Sequence, residues 1–322
     1  MSLQTAEEIQ RTADSAVTRE PCPEDFASVS VIIPAYNEEA GIARTLTTLT
    51  AHPLLRDVEI IVVDDGSTDC TAGVVAALPG VKLVRHLYNR GYGSAIATGA
   101  RASHGQYIVW FDADGQHRVD DLIQVMRRLV DGQLEYCIGV RGRDSFQETN
   151  RVLGKWLLRQ VVTFAAGRPV PDFNSGLRGF KREILLQYLH LLPKRFGAST
   201  LTTLLMVESS HYGETVPIVV NQRVGKSTVK QLRDGLQTLQ IILHIVLLFK
   251  PLKFFGLLGG LFILVGGVYG YLKAIINGQG FPVLASLLIM LGVQSFFFGF
   301  LGDQISALRR ERFSPNRPTR DL

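Results

Sequence analysis

The chain has 322 residues, 46% of them apolar and 20% charged, with a formal net charge of +5. That supplies ample core for one large domain or two smaller ones and excludes a disordered chain. Cys22, Cys70 and Cys137 show neither C-x-x-C spacing nor an even-numbered framework, which excludes a disulfide scaffold and a structural zinc and fits a reducing, cytoplasmic setting for the soluble part.

Residues 1–27 are polar and mixed in charge, with no basic start leading into an apolar core, so they are expected to be a leader without signal-peptide character. Ser28 to Pro34 is expected to be the first strand. Asn37 to Leu49 follows as an amphipathic helix, with Ile42, Leu46 and Leu49 on one face and Glu38 and Glu39 at its positive end. A second strand, Val58 to Val63, runs into Asp64-Asp65-Gly66-Ser67-Thr68-Asp69 and a helix through Val74 to Leu78. A third, Val81 to Val84, leads to Asn89-Arg90-Gly91-Tyr92-Gly93 and a small-residue helix, Ser94 to Ala102. The fourth, Tyr107 to Phe111, delivers Asp112-Ala113-Asp114-Gly115-Gln116. Strands alternating with helices at this spacing predict an α/β fold with a mostly parallel sheet covered on both faces.

Gly91-x-Gly93 opening a helix has the look of a dinucleotide fingerprint. It follows the third strand rather than the first, however, and Ile96 stands where the third glycine belongs, which argues against a dehydrogenase. Asp112 and Asp114 alone would equally suit a polar turn. Glu38, Asp64, Asp65, Asp112 and Asp114 all close strands, though, and in a parallel sheet those ends share one edge, where ligands bind. Hard oxygen donors there suit Mg²⁺ or Mn²⁺ shared with substrate phosphates.

Beyond Asp121 a helix carries Leu122, Val125, Met126 and Val130, and a strand, Tyr136 to Val140, ends in Arg141-Gly142-Arg143-Asp144. Asn150 to Ala166 reads as a helix with Arg151, Lys155 and Arg159 on one face, either a solvated stripe or an acceptor side. Asp172 to Phe180 is too short for a helix and too glycine-rich for a plain strand. Arg182 to Tyr212 reads as helical and Glu214 to Asn221 as the last strand, closing a domain over 28–226.

Residues 227–250 then read as an amphipathic helix lying in a membrane interface or facing a core, with Leu232, Leu236, Leu239 and Leu243 on its apolar side. Phe254 to Leu272 is free of charge for about 19 residues, or about 28 Å of helix, and Phe281 to Gly302 for about 22. Two spans, 254–276 and 281–303 within a hairpin of 251–308, are expected, followed by a basic tail, 309–322. The basic residues gather around these runs, from Lys250 and Lys253 to Arg309, Arg310, Arg312, Arg317 and Arg320. That pattern points to anionic lipid rather than nucleic acid, and places both termini and the large domain on the cytoplasmic side. Gly256-x-x-x-Gly260 and Gly266-x-x-x-Gly270 permit close packing against the second span or a second subunit, as in a homo-oligomer.

These motifs, in this order, resemble the GT-A fold glycosyltransferases of family 2. Ile32-Ile33-Pro34-Ala35-Tyr36-Asn37-Glu38-Glu39, Val63-Asp64-Asp65-Gly66-Ser67-Thr68-Asp69 and Asp112-Ala113-Asp114-Gly115-Gln116 match from about Val29 to Lys230. Asn174-Ser175-Gly176-Leu177-Arg178 and the paired spans look most like the polyprenyl-phosphate glycosyltransferase group, which usually has an aromatic residue where Leu177 stands. The resemblance implies that Pro34, Tyr36, Glu38, Asp65 and Asp112 hold a nucleotide sugar, and that Asp112, Asp114 and Gln116 surround Mg²⁺ or Mn²⁺. It implies too that Arg141, Arg151, Arg178, Arg223 and Lys226 hold an acceptor phosphate. Asp114 and Asp172 are the expected catalytic carboxylates, for orientation or proton handling.

The implied reaction is inverting transfer of a hexose, from a UDP-glucose-like or GDP-mannose-like donor, to a polyprenyl phosphate at the cytoplasmic face of the membrane. A processive polysaccharide synthase is less well matched, since the chain lacks a Q-x-x-R-W motif and two spans do not line a channel. A non-catalytic nucleotide-sugar-binding scaffold fits poorly with the intact Asp112 and Asp114.

Overall fold

In the computed structural model the described residues are 26–142, 159–160, 162–164, 170, 172–173, 175–195, 197–221, 243–278 and 280–313. The elements are β1 (Val29–Ala35), α1 (Glu39–Ala51), β2 (Glu59–Asp64), α2 (Thr71–Ala76), β3 (Val81–Arg85), α3 (Tyr92–Ala102), β4 (Tyr107–Trp110), α4 (Val119–Asp131) and β5 (Tyr136–Arg141). They continue with β6 (Arg178–Lys181), α5 (Arg182–Tyr188), α6 (Ala198–Glu208), β7 (Gly213–Ile218), α7 (Pro251–Asn277) and α8 (Val283–Phe313).

The seven strands form one sheet in the order β3-β2-β1-β4-β6-β5-β7. β6 runs antiparallel to both β4 and β5 while the other pairs are parallel, so six strands end on one edge and β6 starts there. β1 and β4 are buried at every residue, as expected for central strands covered on both faces. Alternation along β1 divides the core: Val31 and Ile33 pack with Ile42 and Leu46 of α1 and Leu122 and Met126 of α4. Ile32 packs on the other face with Ile96 of α3 and Leu201 and Leu204 of α6.

Two expectations change. Asp172 to Phe180 contains a strand, β6, which the glycines and flanking charges masked; its Arg178 and Phe180 pair with Trp110 and Ile108 of β4. The long helix over Arg182 to Tyr212 is two helices, α5 and α6, with a short 3-10 turn at Leu189–Leu191 and a break through Pro193 between them. Most of the basic helix expected over 150–166, with Arg151 and Lys155, lies outside the described residues, as do Arg223, Lys226 and the amphipathic stretch as far as residue 242. Residues 243–249 are helical, and there Ile245 and Phe249 join the core beside α5 and α6. The described end of that stretch therefore packs against the sheet domain.

α7 and α8 form the expected hairpin. Their most apolar windows are only 11% and 22% buried, so these are not the core helices of a soluble fold, and outward residues such as Leu257, Leu264 and Ile276 suit lipid. The chain is an integral membrane protein. Gly266 lies against the Ala285 backbone and Gly270 against Phe281, which assigns that pair of glycines to packing within the hairpin. Lys250 bridges Glu208 at the end of α6 at 3.4 Å, and Ser306 donates to the Leu248 carbonyl at 3.1 Å, so the hairpin is tied to the domain.

Candidate active site

The loops leaving β1 and β2 are zipped to each other by hydrogen bonds. Asn37 adopts φ 54° and accepts from the Thr68 N–H at 2.8 Å, while its own N–H donates to Ser67 Oγ at 3.0 Å. The Glu38 N–H donates to Thr71 Oγ1 at 3.0 Å. Asp65 is buried and fully engaged: its carboxylate accepts from the N–H groups of Arg90 at 2.9 Å and Gly91 at 2.7 Å, and contacts His86 Nδ1 at 2.7 Å. His86 Nε2 in turn meets Thr98 Oγ1 of α3 at 2.9 Å. Asp65 thereby anchors the loop after β3. Asp64, by contrast, serves the turn, pairing with Arg85 at 3.0 Å and accepting from the Ser67 N–H.

These loops and the end of β4 enclose a cavity of about 570 Å³ lined by Pro34, Tyr36, Glu38, Asp65, Asp112 and Asp114, with Tyr92 and Arg195 beside them. Every residue expected to hold a nucleotide sugar thus lines one space, of a size typical for a small-molecule site. Asp112 accepts from the Tyr92 hydroxyl at 3.0 Å and faces His117 Nε2 at 3.7 Å. Burial works to raise its pKa, but His117, Tyr92 and Arg178 together outweigh that and hold the carboxyl below its ordinary value. Burial, with the Asp112 charge, pushes the Tyr92 phenol well above its ordinary value, so it remains the donor. Tyr92 and His117 were not singled out from sequence. Tyr92 sits in the glycine pair dismissed as a fingerprint, and His117 lies one residue past the acidic motif.

Asp114 accepts from the Gln116 N–H at 3.1 Å. Among the described residues no group of three or more His, Cys, Asp or Glu side chains is placed to hold an ion. Two hard carboxylates at a cavity rim do fit a divalent ion that completes its shell with substrate phosphates, as Mg²⁺ commonly does. Gln116 does not line the cavity. Its side-chain amide donates to the Asn221 carbonyl at 3.2 Å and the Gln116 backbone carbonyl accepts from the Asn221 N–H at 2.9 Å, so in this structure it staples the acidic loop to the segment after β7.

The basic side divides. Arg141, at the end of β5, forms a bidentate pair with Asp172, Nε to Oδ2 at 2.8 Å and Nη2 to Oδ1 at 2.5 Å. The hydrogen bond from Arg141 overcomes burial, which acts to raise it, and lowers the Asp172 pKa; Asp172 is an ionised clamp for Arg141, poorly suited to carrying a proton. Asp172 holds φ 36°, an unusual backbone for a non-glycine residue. Arg178 departs from its expected place at the acceptor. It is 0% exposed, donating to the carbonyls of Ser175 and Ser199 and the hydroxyls of Thr202 and Thr203, with its guanidinium 5.7 Å from the Trp110 ring. Burial pushes its pKa down to about 10, which still leaves it charged. It anchors the 172–177 loop to α6. In that loop Gly176 lies against Asp112, and a Cβ there would run into Oδ2.

The family described as Glycosyl transferase family 2 matches residues 30–189, and a GtrB C-terminal hairpin matches residues 250–308. The chain is 32% identical over 180 residues to a UDP-N-acetylglucosamine–dolichyl-phosphate N-acetylglucosaminyltransferase of Methanococcus voltae, covering 49% of this chain and 70% of that one. The chain belongs to glycosyl transferase family 2. This glycosyltransferase is also 28% identical over 303 residues to an undecaprenyl-phosphate 4-deoxy-4-formamido-L-arabinose transferase of Enterobacter sp. (strain 638), covering 88% of the one chain and 90% of the other. Its fold matches glucosyl-3-phosphoglycerate synthase of Mycobacterium tuberculosis, solved with Mn²⁺, UDP-glucose and phosphoglyceric acid, at TM-score 0.54 and 21% identity over 69% of this chain and 81% of that one. The glycosyltransferase domain thus carries the GT-A architecture that the order of its motifs predicted.

Proposed function

We propose that this glycosyltransferase moves a hexose from a nucleoside diphosphate sugar to a polyprenyl phosphate at the cytoplasmic face of the membrane, with inversion at the anomeric carbon. The observation that carries the reading is the single cavity at the strand ends that gathers Pro34, Tyr36, Glu38, Asp65, Asp112 and Asp114 in a chain anchored by a membrane hairpin. The bacterial and archaeal relatives, named for transfer to undecaprenyl phosphate and dolichyl phosphate, support the acceptor class.

Asp112, held ionised by its neighbours, and Asp114 would hold a Mg²⁺ or Mn²⁺ ion. When bound, that ion supplies Lewis-acid stabilisation to the departing diphosphate. Tyr92 fixes one oxygen of Asp112 and the Gly176 backbone closes over the other, so the carboxylate is positioned before substrate arrives. A phosphate monoester has a second pKa near 6 and is largely dianionic at pH 7, so it needs positioning more than deprotonation. One of its oxygens bonds to the anomeric carbon as the bond from that carbon to the diphosphate oxygen breaks, the electron pair leaving with the diphosphate. Arg141 stands at the same sheet edge, oriented by Asp172, as the described cation assigned to the acceptor; Arg151, Arg223 and Lys226 are proposed for the same role. The cationic flanks of the hairpin favour the cytoplasmic placement.

A thermal-shift panel of UDP- and GDP-sugars with Mn²⁺ or Mg²⁺ tests the donor half, since a ligand bound to the native state raises Tm. A metal-dependent rise with one base is expected. No rise with any nucleotide sugar would overturn the assignment.

A further inference from the structure

The Gly91-x-Gly93 pair, which serves no dinucleotide, has a structural purpose that leads back to the donor cavity. Residues 193–195, just ahead of α6, lie across the start of α3 as a strap. The Gly93 N–H donates to the Arg195 carbonyl at 3.1 Å and the Ser94 N–H to the Lys194 carbonyl at 3.0 Å. These satisfy N–H groups that the first helical turn leaves without intrahelical partners. Neither glycine tolerates a side chain. A Cβ on Gly91, already at φ 99°, would sit 2.5 Å from the Lys194 oxygen and 2.7 Å from Arg195 Cγ, and one on Gly93 would strike the Pro193 oxygen. The glycines therefore seat the strap against the same loop whose Gly91 N–H holds Asp65.

The strap brings Arg195 to the cavity wall. Among the described lining residues it is the single cationic side chain, facing a space that also holds Glu38, Asp65, Asp112 and Asp114. It is exposed and has no ion-pair partner among the described residues, although four carboxylates share its cavity. Charge counting gives it a role. A nucleoside diphosphate sugar carries two negative charges on its diphosphate, and a divalent ion held by Asp112 and Asp114 has its own charge already balanced by those two carboxylates. The diphosphate then needs a further cation from the protein, and the guanidinium geometry matches phosphate oxygens.

We infer that Arg195 is the side chain that binds the diphosphate of the donor, opposite the acidic pair. This rests on the proposed nucleotide-sugar reading and names the residue that would neutralise its leaving group.

The test is isothermal titration of the full-length, detergent-solubilised protein with UDP and UMP, and in parallel GDP and GMP, in Mn²⁺. Variants Arg195→Ala, Arg195→Lys and, on the same strap, Lys194→Ala are compared with wild type. Loss of a charge-assisted contact predicts about 10- to 100-fold weaker nucleoside diphosphate binding by Arg195→Ala. Monophosphate affinity and the Tm of the free protein should hold, with partial recovery in Arg195→Lys and wild-type behaviour in Lys194→Ala. Diphosphate affinity unchanged in Arg195→Ala overturns the inference. So does an equal loss for mono- and diphosphate, which would mark a merely structural strap. If the wild type binds no nucleotide at all, the donor reading itself fails and takes this assignment with it.

Discussion

Replacing Arg178 with Met separates a buried anchor from a phosphate ligand. The substitution keeps most of the side-chain length and removes the donors to the Ser175 carbonyl at 2.9 Å and the Ser199 carbonyl at 2.5 Å. The Ser199 carbonyl keeps the Thr202 and Thr203 hydroxyls as donors, so the Ser175 carbonyl, which loses both its bonds from Arg178, bears most of the loss. A buried acceptor left without its donors costs about 1–3 kcal/mol. Removing a buried guanidinium also relieves its desolvation, so a net destabilisation of about 2 kcal/mol is expected. In a domain of this size that corresponds to a Tm lower by about 4–8 °C. Differential scanning fluorimetry on detergent-solubilised protein reads the shift, and transfer kinetics below the transition read the site. Loosening of Gly176 over Asp112 should lower kcat while the acceptor KM stays near wild type. An unchanged Tm with a raised acceptor KM would refute the anchor role and restore Arg178 to the acceptor phosphate.

Arg141→Ala should do the opposite, raising the acceptor KM about 10- to 100-fold through loss of a charged contact, as read by varying lipid phosphate at fixed donor. Tyr92→Phe removes the hydroxyl that fixes Asp112 and should weaken Mn²⁺ dependence of transfer by about tenfold, measured by metal titration of the rate. Because the Asp172 pKa is lowered in the fold, its pair with Arg141 contributes stability that is fully present above the unfolded value near 4 and is lost as pH falls through the lower folded value. Asp172→Asn should therefore flatten the loss of stability below about pH 4, measured by urea unfolding across pH.

The sheet, its chain order and the residues that line the cavity were legible because each rests on local signals: buried β-branched runs ending in turn formers and carboxylates. β6 was not, since four residues with a charge at each end carry no strand periodicity, and only pairing between β4 and β5 makes them a strand. Arg178 misled for a related reason. A cation in a phosphate-handling protein suggests a ligand, whereas its partners Ser199, Thr202 and Thr203 lie on α6, more than twenty residues away, and no pattern near Arg178 announces them. Gln116 was similar, its partner Asn221 lying 105 residues along the chain. His86 and Arg195 were missed because neither adjoins an acidic motif, yet the fold brings one beneath Asp65 and the other to the cavity wall.

Transfer itself is measured most directly by incubating the purified protein with a radiolabelled nucleotide sugar, Mn²⁺ and undecaprenyl phosphate, then partitioning into organic solvent. A single lipid-soluble, mild-acid-labile product of inverted anomeric configuration is expected, absent in Asp114→Asn and without added lipid phosphate. Tight nucleotide binding with no label entering the organic phase for any donor, or a ladder of polymer instead of one product, would contradict sugar transfer to a lipid phosphate.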